Sequence, residues 1–534
     1  MPKKKYKFRL FSAVLATVCI ILVADAVAPT AAIGHSQYVW WAIMLIGFFV
    51  PYALISAELG TQYPSEGGMY TWIKKAFGKK WASRVAWFYW VNYPLWIASL
   101  ADLITTLIMQ MFGIEMEMWM VLVIQVAYIA IITVLGMLRI SQSDWVSNIG
   151  ALIKILILGG IGALGIYILV TKGTANPVEG WQDFVPLAST DGGIDWAGLS
   201  FVSLIIFNML GFEVVGTFYD DMDKPKKQIP QAIILGGILI AIFYILPSFA
   251  LGVGTEFSEI QTDSGLLNAW QILLANAGIG VEVIQAIVIV VGGAFILTLI
   301  SNVSSWNFGV YSVIAYAAED GMFPKSWKKR NKDGVPYMVG VWTGIVATVL
   351  AVAGIIIAYV FPDLEWLSNM FWAFFSLSLV CLLLSYLPMF AAFIKLHKAG
   401  PQVKNGYWLK IGPVLKWVMG LVPILLLLIS LFFTLVPAET VFGSTEETEE
   451  TEVVALESGS DALTSEVVTI EEGSSELAEE AAAEEEAEEE EPAEDHSQLV
   501  LLVSTGVCIV IGELMVLNMS RKDRKKKLAK KNKR

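Results

Sequence analysis

The chain is 534 residues long, with 56% hydrophobic and only 16% charged residues, and its mean hydropathy of +0.64 excludes an ordinary soluble domain, in which about 25% of residues are charged. The formal net charge of −13 says little about the apolar part, because residues 439–495 hold 23 Asp or Glu and no Lys or Arg, and the remainder without those 23 acids stands at +10. Cys19, Cys381 and Cys508 all lie within apolar runs, so no disulfide framework is implied.

Apolar stretches long enough to cross a hydrocarbon layer, about 20 residues each, recur along the chain. Lys3, Lys4, Lys5, Lys7 and Arg9 lead into the first with no small-residue cleavage site, so it reads as a retained helix. In chain order the predicted spans are 10–33, 38–57, 85–109, 118–138, 146–170, 196–219, 231–253, one beginning near Val281, 338–360, 365–396, 413–436 and 499–519. Basic residues follow spans 2, 4, 6 and 10, precede span 9 and fill the tail from Arg521 to Arg534; of 36 Lys and Arg, only Lys172 lies in a predicted outside loop. Cytoplasmic loops collect positive charge, so this alternation points to twelve spans in a cytoplasmic membrane with both termini inside. Residues 439–495 read as a solvated outer loop with no metal-ligand spacing; any gathering of cations there is screened within about 8 Å at physiological salt.

Two spans carry interruptions. Span 1 holds Ala24, Asp25 and Ala26 just before Pro29, and span 6 holds Phe207, Asn208, Gly211 and Glu213. A helix broken at mid-membrane frees backbone groups that are tolerated only where they line a cavity or bind something, and paired breaks in two halves point to an inverted repeat with its site at the midplane.

Three longer blocks resemble the amino acid–polyamine–organocation superfamily. They are Pro51-Tyr-Ala-Leu-Ile-Ser-Ala-Glu-Leu-Gly60 continuing to Gly78, Gly211-Phe-Glu-Val-Val215 with Lys224 to Pro230, and Ser305-Trp306 with Ala318 to Pro324 and Gly334 to Pro336. The resemblance covers spans 1 to at least 10. Span 3, with Trp87 to Trp90 and Trp96 to Ser99, is similar to the glutamate:GABA antiporter group. The resemblance implies an all-α membrane fold, a five-plus-five inverted repeat like the bacterial leucine transporter, with two peripheral helices. It implies a permease or antiporter for amino acids or their amines, a monomer or loose homodimer, with proton coupling open and no cofactor. The chain then divides into a transport core (1–396), a loop with span 11 (397–436), the acidic loop (437–498), span 12 (499–519) and a basic tail (520–534).

The resemblance also suggests roles. Ala24, Asp25, Ala26, Phe207, Asn208, Gly211 and Trp306 would surround substrate, Phe207 as a gating aromatic and Trp306 packing on it. Glu213 matches a proton-sensitive or gating glutamate, and Lys154 the lysine that replaces sodium at the second ion site. The usual Gly-Ser-Gly-like break of span 1 is missing, and Asp25 stands there instead. Each residue has a plainer reading. Glu213 could be satisfied by freed span 6 amides, and Lys154, about two turns into its helix, could snorkel to the cytoplasmic face. Phe207, Trp306, Asn92 and Tyr93 could be packing, and Glu58 structural. Asp25 needs a cationic partner, either a substrate amine or Lys154. His35, His397 and His496 lie at or beyond span ends and suggest no proton relay. No metal or nucleophile constellation suggests an enzyme, no filter-like loop a channel, and a nutrient sensor built on a transporter fold is the alternative to flux.

Overall fold

The computed structural model describes residues 9–23, 27–31, 33–138, 144–187, 198–260, 265–360, 370–436 and 497–531. All regular structure among them is helical. Among the described residues ten helices are long and apolar enough to cross a membrane, and two shorter apolar helices, Leu10–Ile21 and Val202–Thr217, lie where the sequence predicts interrupted spans. In chain order these elements are α1 (Leu10–Ile21), α2 (Val27–Ala31), α3 (Gln37–Met44) and α4 (Val50–Gln62), the last two joined by a π-helical turn over Leu45–Phe49. There follow α5 (Gly68–Phe77), α6 (Lys79–Phe112), α7 (Met118–Leu135), α8 (Asp144–Lys172), α9 (Gly198–Phe207) and α10 (Phe212–Thr217). The chain continues through α11 (Pro225–Gly254), α12 (Gly265–Asn276), α13 (Val281–Glu319), α14 (Tyr337–Val360), α15 (Met370–Lys398), α16 (Pro413–Leu435) and α17 (Ser497–Lys531).

Several bounds differ from the sequence reading. Span 2 extends to Gln62 because its last turn stays buried, with Glu58, Thr61 and Gln62 all at most 1% exposed and tied to a neighbouring loop. Two helices that are not spans, α5 and α12, are too short to register as membrane crossings.

The interior is built around α1 and α10. α1 packs against α8, α11 and α13, and α10 against α4 and α13. α8 approaches its neighbours through small residues: a Cβ added at Gly165 would sit 2.4 Å from the Cα of Ala250 in α11, and one at Gly150 would sit 2.3 Å from Ser301 Cβ in α13. Lipid gives helices no hydrophobic drive to associate, so such small faces are how membrane helices gain van der Waals contact.

Most of the basic loops gather at one end of the bundle. Lys74 pairs with Asp320 at 2.5 Å, Arg330 with Glu66 at 2.9 Å, and Lys79 with Asp523 at 2.6 Å. Lys226 donates to the carbonyl of Lys404 at 3.0 Å. These contacts join the loops after spans 2, 6, 8 and 10 and the C-terminal helix. Lys172 closes α8 at the opposite end, where Asn176 ties its loop to the carbonyls of Gly252 and Thr255 at 2.8 and 2.7 Å.

Candidate functional site

A helix leaves its last four carbonyls without intrahelical partners, and in α1 these meet side chains instead of water. The carbonyls of Cys19 and Leu22 accept from the Lys154 ammonium, the former at 2.8 Å. Asn302 donates to Cys19 and Ile20 at 2.9 and 3.3 Å, and the Trp306 indole donates to Ile20 at 2.9 Å. The Tyr244 hydroxyl lies 2.8 Å from the Ile21 carbonyl. Lys154 is 1% exposed, so it does not snorkel: its cation sits at the negative end of the α1 dipole.

The same Tyr244 hydroxyl spans both breaks, for it lies 2.7 Å from the Asn208 carbonyl and accepts the Val23 N–H at 2.9 Å. Between α9 and α10 the chain unwinds through Asn208 to Gly211, where Gly211 has φ +130°. A Cβ there would meet Ile20 Cγ2 and Ile21 Cγ1, each at 2.8 Å, so glycine is needed both for the backbone and for the close approach of α1.

Beside the break Glu213, 1% exposed, is enclosed by hydroxyls. Tyr52 of α4 donates to its Oε2, and Tyr89 of α6 donates to its Oε1 at 2.7 Å. Tyr52 also accepts the Gly211 N–H at 2.9 Å, and Tyr386 of α15 stands 3.5 Å from it. An ionised carboxylate accepts both phenols at once; a protonated one must donate from one oxygen, so one phenol has to turn. The Tyr52 hydroxyl thus bridges the Glu213 carboxyl and the backbone of the break.

Between the two breaks lies a small cavity of ≈ 10 Å³. Its walls are Ile20 and Val23 from α1 and its end, Asn92 and Trp96 of α6, Phe207 and Leu210 at the break, Trp306 and Leu382. Trp96 meets Phe207 and Trp306 edge to face, at centroid distances of 6.3 and 6.0 Å, and Phe375 backs Phe207 at 4.9 Å. The volume admits about one water, so a substrate enters only by moving these rings. The side-chain oxygen and nitrogen of Asn208, fully buried nearby, and Asn302 Oδ1 have no hydrogen-bond partner among the described residues.

Phe207, Asn208, Gly211 and Trp306 thus converge at the break, with Glu213 beside them and Lys154 on the α1 carbonyls. Ala24, Asp25 and Ala26 lie outside the described residues. Asn92 lines the cavity, whereas Tyr93 turns away to bond the Val303 carbonyl and Asn307 Oδ1 at 2.7 and 2.9 Å. Glu58 accepts the Leu409 N–H at 2.9 Å and pairs with His397 Nδ1 at 2.8 Å, joining α4 to α15 and the following loop. Tyr52, Tyr89, Tyr386, Tyr244, Asn302 and Trp96 are site residues to which the sequence reading assigned no role, although Tyr52, Tyr89 and Trp96 sit inside blocks it singled out.

Helices broken side by side, with their freed backbone groups bound by side chains around a small cavity, define a membrane transporter. The amino acid permease family model matches residues 8–448, and the chain belongs to that family, within the amino acid–polyamine–organocation superfamily. It is 42% identical over 442 residues to the probable agmatine/putrescine antiporter AguD of Lactococcus lactis subsp. lactis, covering 82% of this chain and 90% of that one. It is 25% identical over 322 residues to the lysine-specific permease LysP of Lactococcus lactis subsp. cremoris (57% of this chain, 60% of the relative). It is also 23% identical over 417 residues to the aspartate/glutamate permease AcaP of the same subspecies, covering 72% and 81%. Relatives named for cationic and for acidic substrates share the family, so membership alone does not choose between them.

Proposed function

We propose that the protein is a sodium-independent antiporter of the cytoplasmic membrane that exchanges amines derived from amino acids, of the agmatine and putrescine kind. It works by alternating access on twelve spans arranged as two inverted repeats with two peripheral helices, its termini in the cytoplasm. The observation that carries this is the aromatic lining of the cavity at the two breaks. Trp96, Phe207 and Trp306 offer π-faces that attract a cation and do nothing for a carboxylate. The resemblance to an antiporter named for two such amines supports the same reading. Asp25, beside the cavity in sequence, supplies the substrate's counter-charge, and the four-carbon amine stem lies between the rings. Lys154 takes the carbonyls that a bound sodium would otherwise take. Glu213 and Tyr52 couple the α10 break to protonation during the cycle.

Counterflow in proteoliposomes tests this. Vesicles loaded with putrescine should draw in labelled agmatine without sodium, and Asp25→Asn should abolish that while monodisperse protein is retained. Exchange of a neutral or acidic amino acid with no amine counterflow would overturn the substrate assignment. Rescue of Asp25→Asn by also neutralising Lys154 would instead make Asp25 the lysine's partner.

A further inference from the structure

A second cavity lies far from the substrate site, where the start of α6 meets the end of α17. It has a volume of ≈ 440 Å³, and its lining includes Lys79, Lys80, Arg84, Arg524, Trp81 and Asp523. Two of its four cations are already neutralised: Lys79 pairs with Asp523 at 2.6 Å, and Arg84 forms a two-pronged pair with Glu513, one arm at 2.8 Å. Lys80 and Arg524 form no ion pair or hydrogen bond among the described residues and keep an uncompensated double positive charge on the lining. Trp81, half exposed, carries the Arg84 guanidinium over its ring at 5.2 Å.

The pocket is built rather than a chance gap between loose ends. The Trp87 indole donates to the Cys508 carbonyl at 2.8 Å, Gly512 leaves room for the Trp87 ring, and Ser83 donates to Met519 sulfur at 3.4 Å. With the Arg84–Glu513 pair these contacts fix α17 on α6 turn by turn. Next to the pocket α17 presents Leu514 and Leu517, 60% and 52% exposed, to the surroundings of the bundle. An exposed aromatic ring, free cations beside it and an apolar helix face leading away match the profile of a phospholipid.

We propose that this pocket binds the phosphate headgroup of an anionic phospholipid, with Lys80 and Arg524 on the phosphate and the acyl chains along α17. Leaflet assignment rests on the cytoplasmic placement proposed above; the binding itself does not. The ligand chemistry is a phosphate ester, and the apolar face of α17 favours the lipid over a free anion.

Native mass spectrometry of the full-length protein, exchanged from vesicles of phosphatidylglycerol and phosphatidylcholine, tests this. Phosphatidylglycerol should be retained in preference to phosphatidylcholine, and K80Q/R524Q should lower that preference by roughly fivefold per cation removed. R521Q/K525Q, which removes two neighbouring charges outside the pocket lining, should keep it. Equal loss in both double variants would reduce the effect to diffuse charge and overturn the site, as would retention in K80Q/R524Q. Displacement of the lipid by millimolar inorganic phosphate would make a free anion the ligand and overturn the lipid assignment. Should K80Q/R524Q lose monodispersity, K80Q and R524Q singly carry the same comparison. Amine counterflow of K80Q/R524Q in phosphatidylcholine vesicles should match wild type, so failure of this proposal and of the transport reading are distinguishable.

Discussion

Lys154 and Glu213 hold the two halves of the site by opposite chemistry. Lys154 is a cation bound to carbonyls, so replacing it by alanine removes a charge, leaves the Cys19 carbonyl to Asn302 alone and strips the Leu22 carbonyl of its side-chain donor, at about 1–3 kcal/mol for a carbonyl left unsatisfied. Lys154→Ala should therefore lower the melting temperature and reduce sodium-free amine counterflow at least about tenfold, since each 1.4 kcal/mol is a factor of ten. Restoration of part of that flux by sodium would show an ion entering the vacated place. Undiminished flux would mean that Lys154 has no part in the cycle. Glu213 is an acceptor for two phenols, and an amide offers only one oxygen to them. Glu213→Gln should flatten the pH dependence of counterflow. Because Tyr52 and Glu213 share one network, Tyr52→Phe added to Glu213→Gln should cost clearly less than the sum of the single effects. Additive rate losses would show that the phenol does not carry the carboxylate's influence to Gly211.

The breaks themselves are decided at the level of the element. Pro29 and Asp25 in span 1, and Asn208, Gly211 and Glu213 in span 6, mark both in the sequence, because each residue conflicts locally with a continuous apolar helix. What closes the site was not legible in the same way. Tyr52, Tyr89, Tyr244 and Tyr386 come from four different helices, and nothing in the local period of any one tells a phenol that meets Glu213 or the α1 carbonyls from one that packs on lipid or protein. His397 looked peripheral because it ends a span, yet the loop after α15 folds back over α4 and encloses it with Glu58 and stacked Trp408, ring centroids 4.3 Å apart. A glycine at a break carries the sharpest expectation of this kind. Gly211→Ala would hold a side chain at φ +130°, at about 1–3 kcal/mol of backbone strain, and would press on Ile20 and Ile21 at 2.8 Å. Flux should fall below a tenth of wild type, roughly what that strain implies, with a lower melting temperature. Gly293→Ala, with open space around its Cβ position, should do neither. Wild-type flux in Gly211→Ala would mean that the break relaxes without cost.

At the scale of the whole molecule, the acidic segment should be separable from the transporter. The family match ends at residue 448, just where the acids begin to crowd. α16 ends at Leu435 and α17 begins at Ser497, and these two helices are in contact. Deleting Thr445 to Glu494 leaves about ten linking residues, able to reach roughly 30 Å, several times the separation of packed helices. Loop-closure entropy changes by only about 0.6 kcal/mol for each halving of length. A residue range with 23 acids and no compensating base has a composition that favours solvation over packing. The deletion should therefore leave expression, melting temperature and maximal amine counterflow within about twofold of wild type at physiological salt, where a field from the segment is screened beyond about 8 Å. Low ionic strength separates a passive segment from one that concentrates substrate. There, a raised KM for amines in the deletion, with maximal flux unchanged, would give the acids a part in gathering cations at the mouth. Loss of flux at physiological salt would refute the separation outright, because screening leaves only direct contact with the bundle to explain it.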